Sequence, residues 1–240
     1  MPILNVNERE AIRTTLETNL RRNIPLRLYT STGGGLYIPG RECRDCEQFE
    51  ALLNEIITEC PKMSLKTTDY FSNRTLAVED NIARIPTLLI GNSPSKLRYV
   101  GLPLENQLSV LVQAFIGASG IRSPLKLDTR RQLRRLKDDV HIQVFVTRTC
   151  RFSPQTAILA YMMALESPNL TTEVLQIESL SDVPSLYSIR GVPKIVINGR
   201  VHFTGALNEN ALLMQILRAS GLESAGTEQI VDYSDEVTPL

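Results

Sequence analysis

The stretch from Tyr29 to Cys46 reads YTSTGGGLYIPGRECRDC and ends in two thiols separated by two residues, Cys43 and Cys46. A pair at this spacing suits two chemistries: making and breaking a disulfide between its own sulfurs, or supplying half of a four-ligand metal site. The metal reading needs a second ligand pair. Cys60, His141 and His202 stand at no matching spacing, so no metal is expected. A third chemistry, a phosphate cradle, is suggested by Gly33, Gly34 and Gly35. A P-loop, however, requires G-x-x-x-x-G-K-[ST], and these glycines run into LYIPGREC, without the lysine or hydroxyl at the required place. The stretch points to sulfur.

Bulk composition narrows the setting. The 26 basic and 26 acidic side chains cancel over 240 residues, which argues against nucleic acid, anionic membrane or polyanionic substrates as partners. No apolar run of about 18 residues occurs, and MPILNVNERE lacks the basic-then-apolar pattern of a secretory signal, so a soluble cytoplasmic protein is expected. Four cysteines are too few for a disulfide-stapled secreted fold.

The elements that must position the thiols are written twice. IPTLLIGN around Pro86 is answered by VPKIVING around Pro193, 107 residues on, and Cys43 is answered by Cys150 at the same separation. GLPLEN from Gly101 matches GALNEN from Gly205, each leading into a helical apolar pattern. Upstream, Leu26–Thr30 aligns with Ile142–Val146 at an offset of 116, so nine residues are inserted in the first copy, between Thr30 and Arg41. The three glycines belong to that insertion, in which Leu36, Tyr37 and Ile38 can form an apolar flap over Cys43 that selects partners.

Each copy reads as helix, strand, helix, strand, short helix, hairpin and helix. In the first copy the helices fall at 7–19 (from an Asn7–Glu10 capping box), 43–58, 76–83 and 104–117, and the strands at 25–31, 63–69, 87–90 and 97–100. In the second the helices fall at 128–137, 150–166, 181–189 and 207–219, and the strands at 140–147, 171–178, 194–197 and 200–204. This order predicts an α/β protein of two tandem units, residues 1–120 and 121–220, each a mixed β-sheet flanked by helices. Residues 221–240 hold five acids and no base, and are expected to form a mobile tail or a segment docked along the surface.

A thiol at a strand-to-helix turn, with an X-Pro opening a later strand, resembles the thioredoxin/glutaredoxin fold. Two such units, with FVTRTCRFSP in the second and YVGLP closing the first, resemble the two-domain protein disulfide oxidoreductases (glutaredoxin-like proteins) of thermophilic archaea and bacteria, over about residues 7–219. The resemblance implies dithiol–disulfide exchange on protein disulfides, with cis peptide bonds before Pro86 and Pro193. It implies no cofactor beyond a redox-active Cys43–Cys46 disulfide, and recharging by a thioredoxin-reductase-like flavoenzyme, since the chain has no nucleotide fingerprint of its own. Relatives usually carry CxxC in both units. Here Ser153 replaces the second thiol of the second motif, Cys150-Arg151-Phe152-Ser153. That CRFS also resembles the CGFS of monothiol glutaredoxins, which implies glutathione or a shared iron–sulfur cluster, although Arg151 replaces the small glycine and Ser153-Pro154 fits the oxidoreductase setting. A third reading is a non-catalytic thioredoxin-fold binding module.

On the oxidoreductase reading, exchange needs a thiolate, and a helix beginning at Cys43 would lower the pKa of its thiol. Arg41 and Arg44 add positive charge, whereas the charge of Asp45 opposes ionisation. Cys43 is then the attacking sulfur and Cys46, one turn on, the resolving one. Ile85 and Pro86, with Arg44 and Tyr37, are candidate substrate contacts, the Ile85 backbone pairing with an extended substrate as an added strand. The strand 25–31 lacks a carboxylate to take a proton from Cys46. Cys150, Ser153, Val192 and Pro193 form a candidate second site in which Cys150 either helps bind substrate or only packs. Cys60 reads as an inert thiol and the histidines as structural or solvent-facing.

Overall fold

A computed structural model of the protein describes residues 2–31, 42–180, 183–222 and 238–239. The three glycines, the Leu36–Ile38 flap and Arg41 lie outside the described residues. In the first half the elements are α1 (Val6–Asn19), β1 (Ile24–Thr30), α2 (Cys46–Glu59), β2 (Met63–Asp69), α3 (Arg74–Glu79), β3 (Thr87–Ile90), β4 (Leu97–Val100) and α4 (Leu108–Ala118), with a 3-10 turn at Glu105–Gln107 before α4. The second half follows with α5 (Leu127–Leu133), β5 (Val140–Val146), α6 (Ser153–Glu166), β6 (Leu170–Gln176), α7 (Val183–Leu186), β7 (Gly191–Val192), β8 (Lys194–Ile197), β9 (Val201–Thr204) and α8 (Glu209–Ala219). Among the described residues no helix is long and apolar enough to cross a membrane.

The two copies do not keep separate sheets. Strand order is β2-β1-β3-β4-β6-β5-β8-β9, a single eight-stranded sheet in which the first copy's β4 pairs in parallel with the second copy's β6, Leu97 opposite Thr172 through Val100 opposite Leu175. Each unit supplies the expected mixed set of four strands, and the two sets are continuous at the β4–β6 pair. Each copy alone would leave an apolar edge, and Tyr99, Val100, Leu170, Val174 and Leu175 are all nearly inaccessible in the joined sheet. Side chains seal the seam as well: the Tyr99 hydroxyl donates to Gln176 Oε1 at 2.9 Å, and the Tyr161 hydroxyl to the Arg98 carbonyl at 2.6 Å.

Alternation along the strands sorts side chains to two faces. Leu26 and Leu28 of β1, Leu88 and Ile90 of β3, and Ile142, Val144 and Val146 of β5 enter one core that runs unbroken through both copies and takes in α1, α2, α4, α5, α6 and α8. The opposite face carries two smaller clusters. Tyr29 and Leu89 pack with Ala77 of α3, while Val100, Phe145, Leu175 and Val196 pack with Cys150 and with Val183 of α7. Cys60, at the end of α2, sits in the large core, as its reading as an inert thiol requires.

Helix α1 opens on the earlier of two N-x-x-E patterns. Asn5 Oδ1 accepts from Glu8 N at 2.9 Å and Glu8 Oε2 from Asn5 N at 3.0 Å, which frees Glu10 to pair with Arg13 on the exposed side. The Asn7–Glu10 box expected from sequence is therefore displaced by two residues. Near the other terminus, Thr238–Pro239 (β10) pairs antiparallel with β7, Thr238 opposite Val192, while the five acids of the expected tail lie outside the described residues.

Gly101, just after β4, has φ +95°, and a Cβ there would lie 2.9 Å from both Cβ and Oγ of Ser179. Gly199 has φ +67° but open space around it. Gly101→Ala is expected to cost ~2–4 kcal/mol in urea unfolding, combining left-handed strain with overpacking. Gly199→Ala should cost only ~1–2 kcal/mol, the strain alone. Equal losses would show that the Gly101–Ser179 approach adds nothing.

Candidate active site

The sulfurs of Cys43 and Cys46 are joined as a disulfide with Cα atoms 5.4 Å apart, at the turn that follows β1. Helix α2 begins at Cys46 rather than at Cys43, and α6 likewise begins at Ser153 rather than Cys150. Residues 44–45 form a turn, and the bond from Phe49 N to the Asp45 carbonyl, at 2.9 Å, starts the helical ladder. Cys43 thus stands outside the first turn. Its sulfur still reaches the positive end of α2, because it is bonded to the first residue of that helix. The Ser31 N–H adds a donor 3.3 Å from Cys46 Sγ. Cys46 is only 2% exposed, whereas Cys43 is half-buried and Arg44 exposed. The outer cysteine is partly exposed and the inner one is not.

Ile85–Pro86 and Val192–Pro193 are both cis, and so is Ser93–Pro94 in the β3–β4 hairpin, which the sequence did not signal. Ile85 is half-buried and Pro86 buried. The Pro86 carbonyl accepts from Gly101 N at 3.0 Å, just as the Pro193 carbonyl accepts from Gly205 N at 2.8 Å. The repeat is faithful to the level of single hydrogen bonds.

Around Asp45 the symmetry fails. Asp45 occupies the N-cap of α2, where a carboxylate commonly accepts from first-turn amides, but its side chain makes no capping bond. Instead it accepts from the hydroxyl of Ser179, in the 3-10 turn Ile177–Ser179 after β6, and Arg148 Nη2 stands 4.0 Å from the same oxygen. Ser179 Oγ in turn accepts from Leu102 N at 3.2 Å. Arg148 lies two residues before Cys150, and its own N–H donates to Glu178 Oε1 at 2.8 Å. Sequence reasoning weighed Asp45 as a charge against Cys43 and had no signal for Ser179, 134 residues away.

A carboxylate from another element does reach β1. Asp80, at the end of α3, accepts from the Tyr29 hydroxyl and from Arg27 Nη1, each at 2.5 Å. Burial, together with the hydrogen bond and charge of Asp80, raises the Tyr29 pKa well above its usual value, so the phenol stays a donor. This carboxylate is engaged by a tyrosine and an arginine on β1.

In the second motif Cys150 is fully buried, its thiol donating to the Val192 carbonyl at 3.6 Å. Ser153, also fully buried, has no hydrogen-bond partner for its hydroxyl among the described residues. The structure therefore brings Cys150 against Val192 in a closed arrangement, with Ser153 buried at the start of α6. His141 and His202 lie on β5 and β9, away from both motifs in sequence and strand position.

A thioredoxin domain model matches residues 140–218, the second copy. Among curated proteins, the alkyl hydroperoxide reductase component AhpF of Pseudomonas aeruginosa is 24% identical over 168 residues, 69% of this chain and 30% of that protein. The corresponding protein of Staphylococcus aureus is 22% identical over 173 residues, 71% of this chain and 31% of that protein. The chain thus spans about a third of the length of these relatives. Among solved structures, a protein disulfide oxidoreductase from Aeropyrum pernix superposes with TM-score 0.80 at 24% identity, covering 92% of this chain and 96% of that one. The NTD_N/C domain of alkylhydroperoxide reductase AhpF from Enterococcus faecalis gives 0.78 at 17% identity, covering 89% and 99%. The fold and the CxxC disulfide together support thiol–disulfide oxidoreductase chemistry. The chain has the thioredoxin-like fold that the resemblance implied, with its two copies fused through one mixed sheet.

Proposed function

We propose that this protein reduces or forms disulfides in other proteins through the Cys43/Cys46 dithiol. The observation that carries this reading is the pair itself: a half-buried cysteine bonded to a buried one at the start of a helix, in a copy that also holds a cis X-Pro. In the reducing direction the Cys43 thiolate attacks one sulfur of a substrate disulfide, forming a mixed disulfide and releasing the other substrate sulfur as a thiolate. Cys46 then loses its proton and attacks Cys43 Sγ. The second substrate thiolate leaves, and two electrons have passed to the substrate. The product is the Cys43–Cys46 disulfide. Restoring the dithiol takes a two-electron donor, for which a thioredoxin-reductase-like flavoenzyme has the matching chemistry.

Substrate docking falls to the Ile85–Pro86 segment, where the half-buried Ile85 offers backbone to an extended chain, with the exposed Arg44 as a further contact. Cys150 is read as a packing thiol, since its sulfur is enclosed beneath the Val192 carbonyl. The same enclosure disfavours a cluster bridged from Cys150, which would need that sulfur at the surface.

Insulin reduction with dithiothreitol as donor tests the proposal. Wild-type protein should turn over, Cys43→Ser should lose at least ~10³-fold, and Cys46→Ser should accumulate a mixed disulfide. Cys150→Ser should stay within about twofold of wild type. Turnover that survives in Cys43→Ser removes the assignment.

Thiol counting provides an independent check. The native oxidised protein should show no rapidly alkylated cysteine, because Cys60 and Cys150 are buried. After reduction, mass spectrometry should find Cys43 modified first. Preferential modification of Cys46 or Cys150 would reverse the assigned roles.

A further inference from the structure

We infer that the second copy acts on the first copy's dithiol as a positioning device: Ser179, with Arg148, holds the Asp45 carboxylate away from the helix end that stabilises the Cys43 thiolate. The inference rests on the Cys43/Cys46 reading proposed above. Asp45 immediately precedes the first residue of α2 with φ −105° and ψ 0° and no capping bond, so that its carboxylate, once released, is free to move beside the uncapped first-turn amides. Those amides and the positive end of the dipole are what lower a neighbouring thiol's pKa. A carboxylate seated there competes with the thiolate for donors and repels it. In this protein it is turned to the second copy, buried at 5% exposure, and bound by the Ser179 hydroxyl with the Arg148 guanidinium 4.0 Å away.

The same hydroxyl is tied to the other wall of the site. Ser179 Oγ accepts from Leu102 N, and the preceding residue, Gly101, donates its N–H to the cis-Pro86 carbonyl. Only glycine fits at 101, given the approach of Ser179 and the φ of +95°. One side chain from the second copy thereby fixes both the CxxC turn and the proline segment opposite it. The first copy has a serine at the equivalent position, Ser72, but it is exposed, with no third copy to engage. At the position matching Asp45 the second copy carries Phe152, which packs in the cluster around Cys150. Both halves of the contact thus occur where the copies meet.

The consequence is directional. Releasing Asp45 should weaken the Cys43 thiolate and make the dithiol easier to oxidise, so the midpoint should become more negative. Full-length protein equilibrated with reduced and oxidised glutathione reads this directly, with the Cys43 thiolate absorbance near 240 nm followed against pH as a second readout. Ser179→Ala is expected to raise the equilibrium constant for dithiol oxidation ~3–10-fold, about 14–30 mV more reducing, and to move the thiolate transition to higher pH. Arg148→Gln, which leaves the Gly101–Leu102 contact intact, should act in the same direction with smaller size and guards against misfolding of the serine variant. In an Asp45→Asn background both shifts should fall below about 1.5-fold, because the carboxylate they control is gone.

No shift in either variant, a shift to a less negative midpoint, or an equal shift in the Asp45→Asn background would overturn the inference. These equilibria need no protein substrate. A wild-type protein that fails to reduce insulin yet shows the Asp45-dependent shifts would remove the assigned function and leave the positioning role standing.

Discussion

The parallel pairing of β4 with β6 is the constraint on which the remaining architecture depends. A strand edge displays a row of N–H and C=O groups that must find partners, and each copy of the repeat ends its sheet in one. Joining the edges satisfies both rows and aligns the copies head to tail, so that β1, β2, β4, β5, β6 and β9 run one way and β3 and β8 the other. The turns after β1 and β5, which carry the two cysteine motifs, therefore open on the same side of the sheet. From this alignment come the unbroken core on one face and the meeting of Asp45 with Ser179 and Arg148 on the motif side.

A tandem repeat joined this way cannot remain symmetric in its environment. The first copy gives up its β4 edge and the second its β6 edge, so β1 and β5, which lead into the two motifs, stand at different distances from the seam. The first motif keeps two cysteines, one of them half-buried and the other buried. The second motif has Cys150 enclosed under Val192, serine in place of the second thiol, and Thr238–Pro239 added as a strand beside Val192. Similar backbones thus carry a partly exposed disulfide in one copy and an enclosed thiol in the other.

The electrostatics of the Cys43/Cys46 site follow from few contacts. Cys46 receives a backbone N–H from Ser31, Cys43 is held at the helix end by its bond to Cys46, and the one acid within the motif is drawn off by the neighbouring copy. Asp80, the carboxylate that reaches β1, is spent on Tyr29 and Arg27.

Much of this was legible in the residues themselves. The 107-residue offset, the CRDC pair, the two X-Pro strands and the bounds of β2, β3, β4 and β8 follow from local spacing, because the period of apolar residues and the geometry of proline act within a few positions. Helix starts were displaced, at Asn5 by two residues and at Cys46 and Ser153 by three, because equivalent capping patterns and short turns compete at nearly equal energy until packing selects one. The fusion of the sheets, the engagement of Asp80 with Tyr29 and the hold of Ser179 on Asp45 left no mark in the sequence. They link residues tens to more than a hundred positions apart, whose adjacency is set by which edges pair. A chain by itself records which thiols can react; only its folding against its own repeat decides which of them faces solvent and which charges lie beside it.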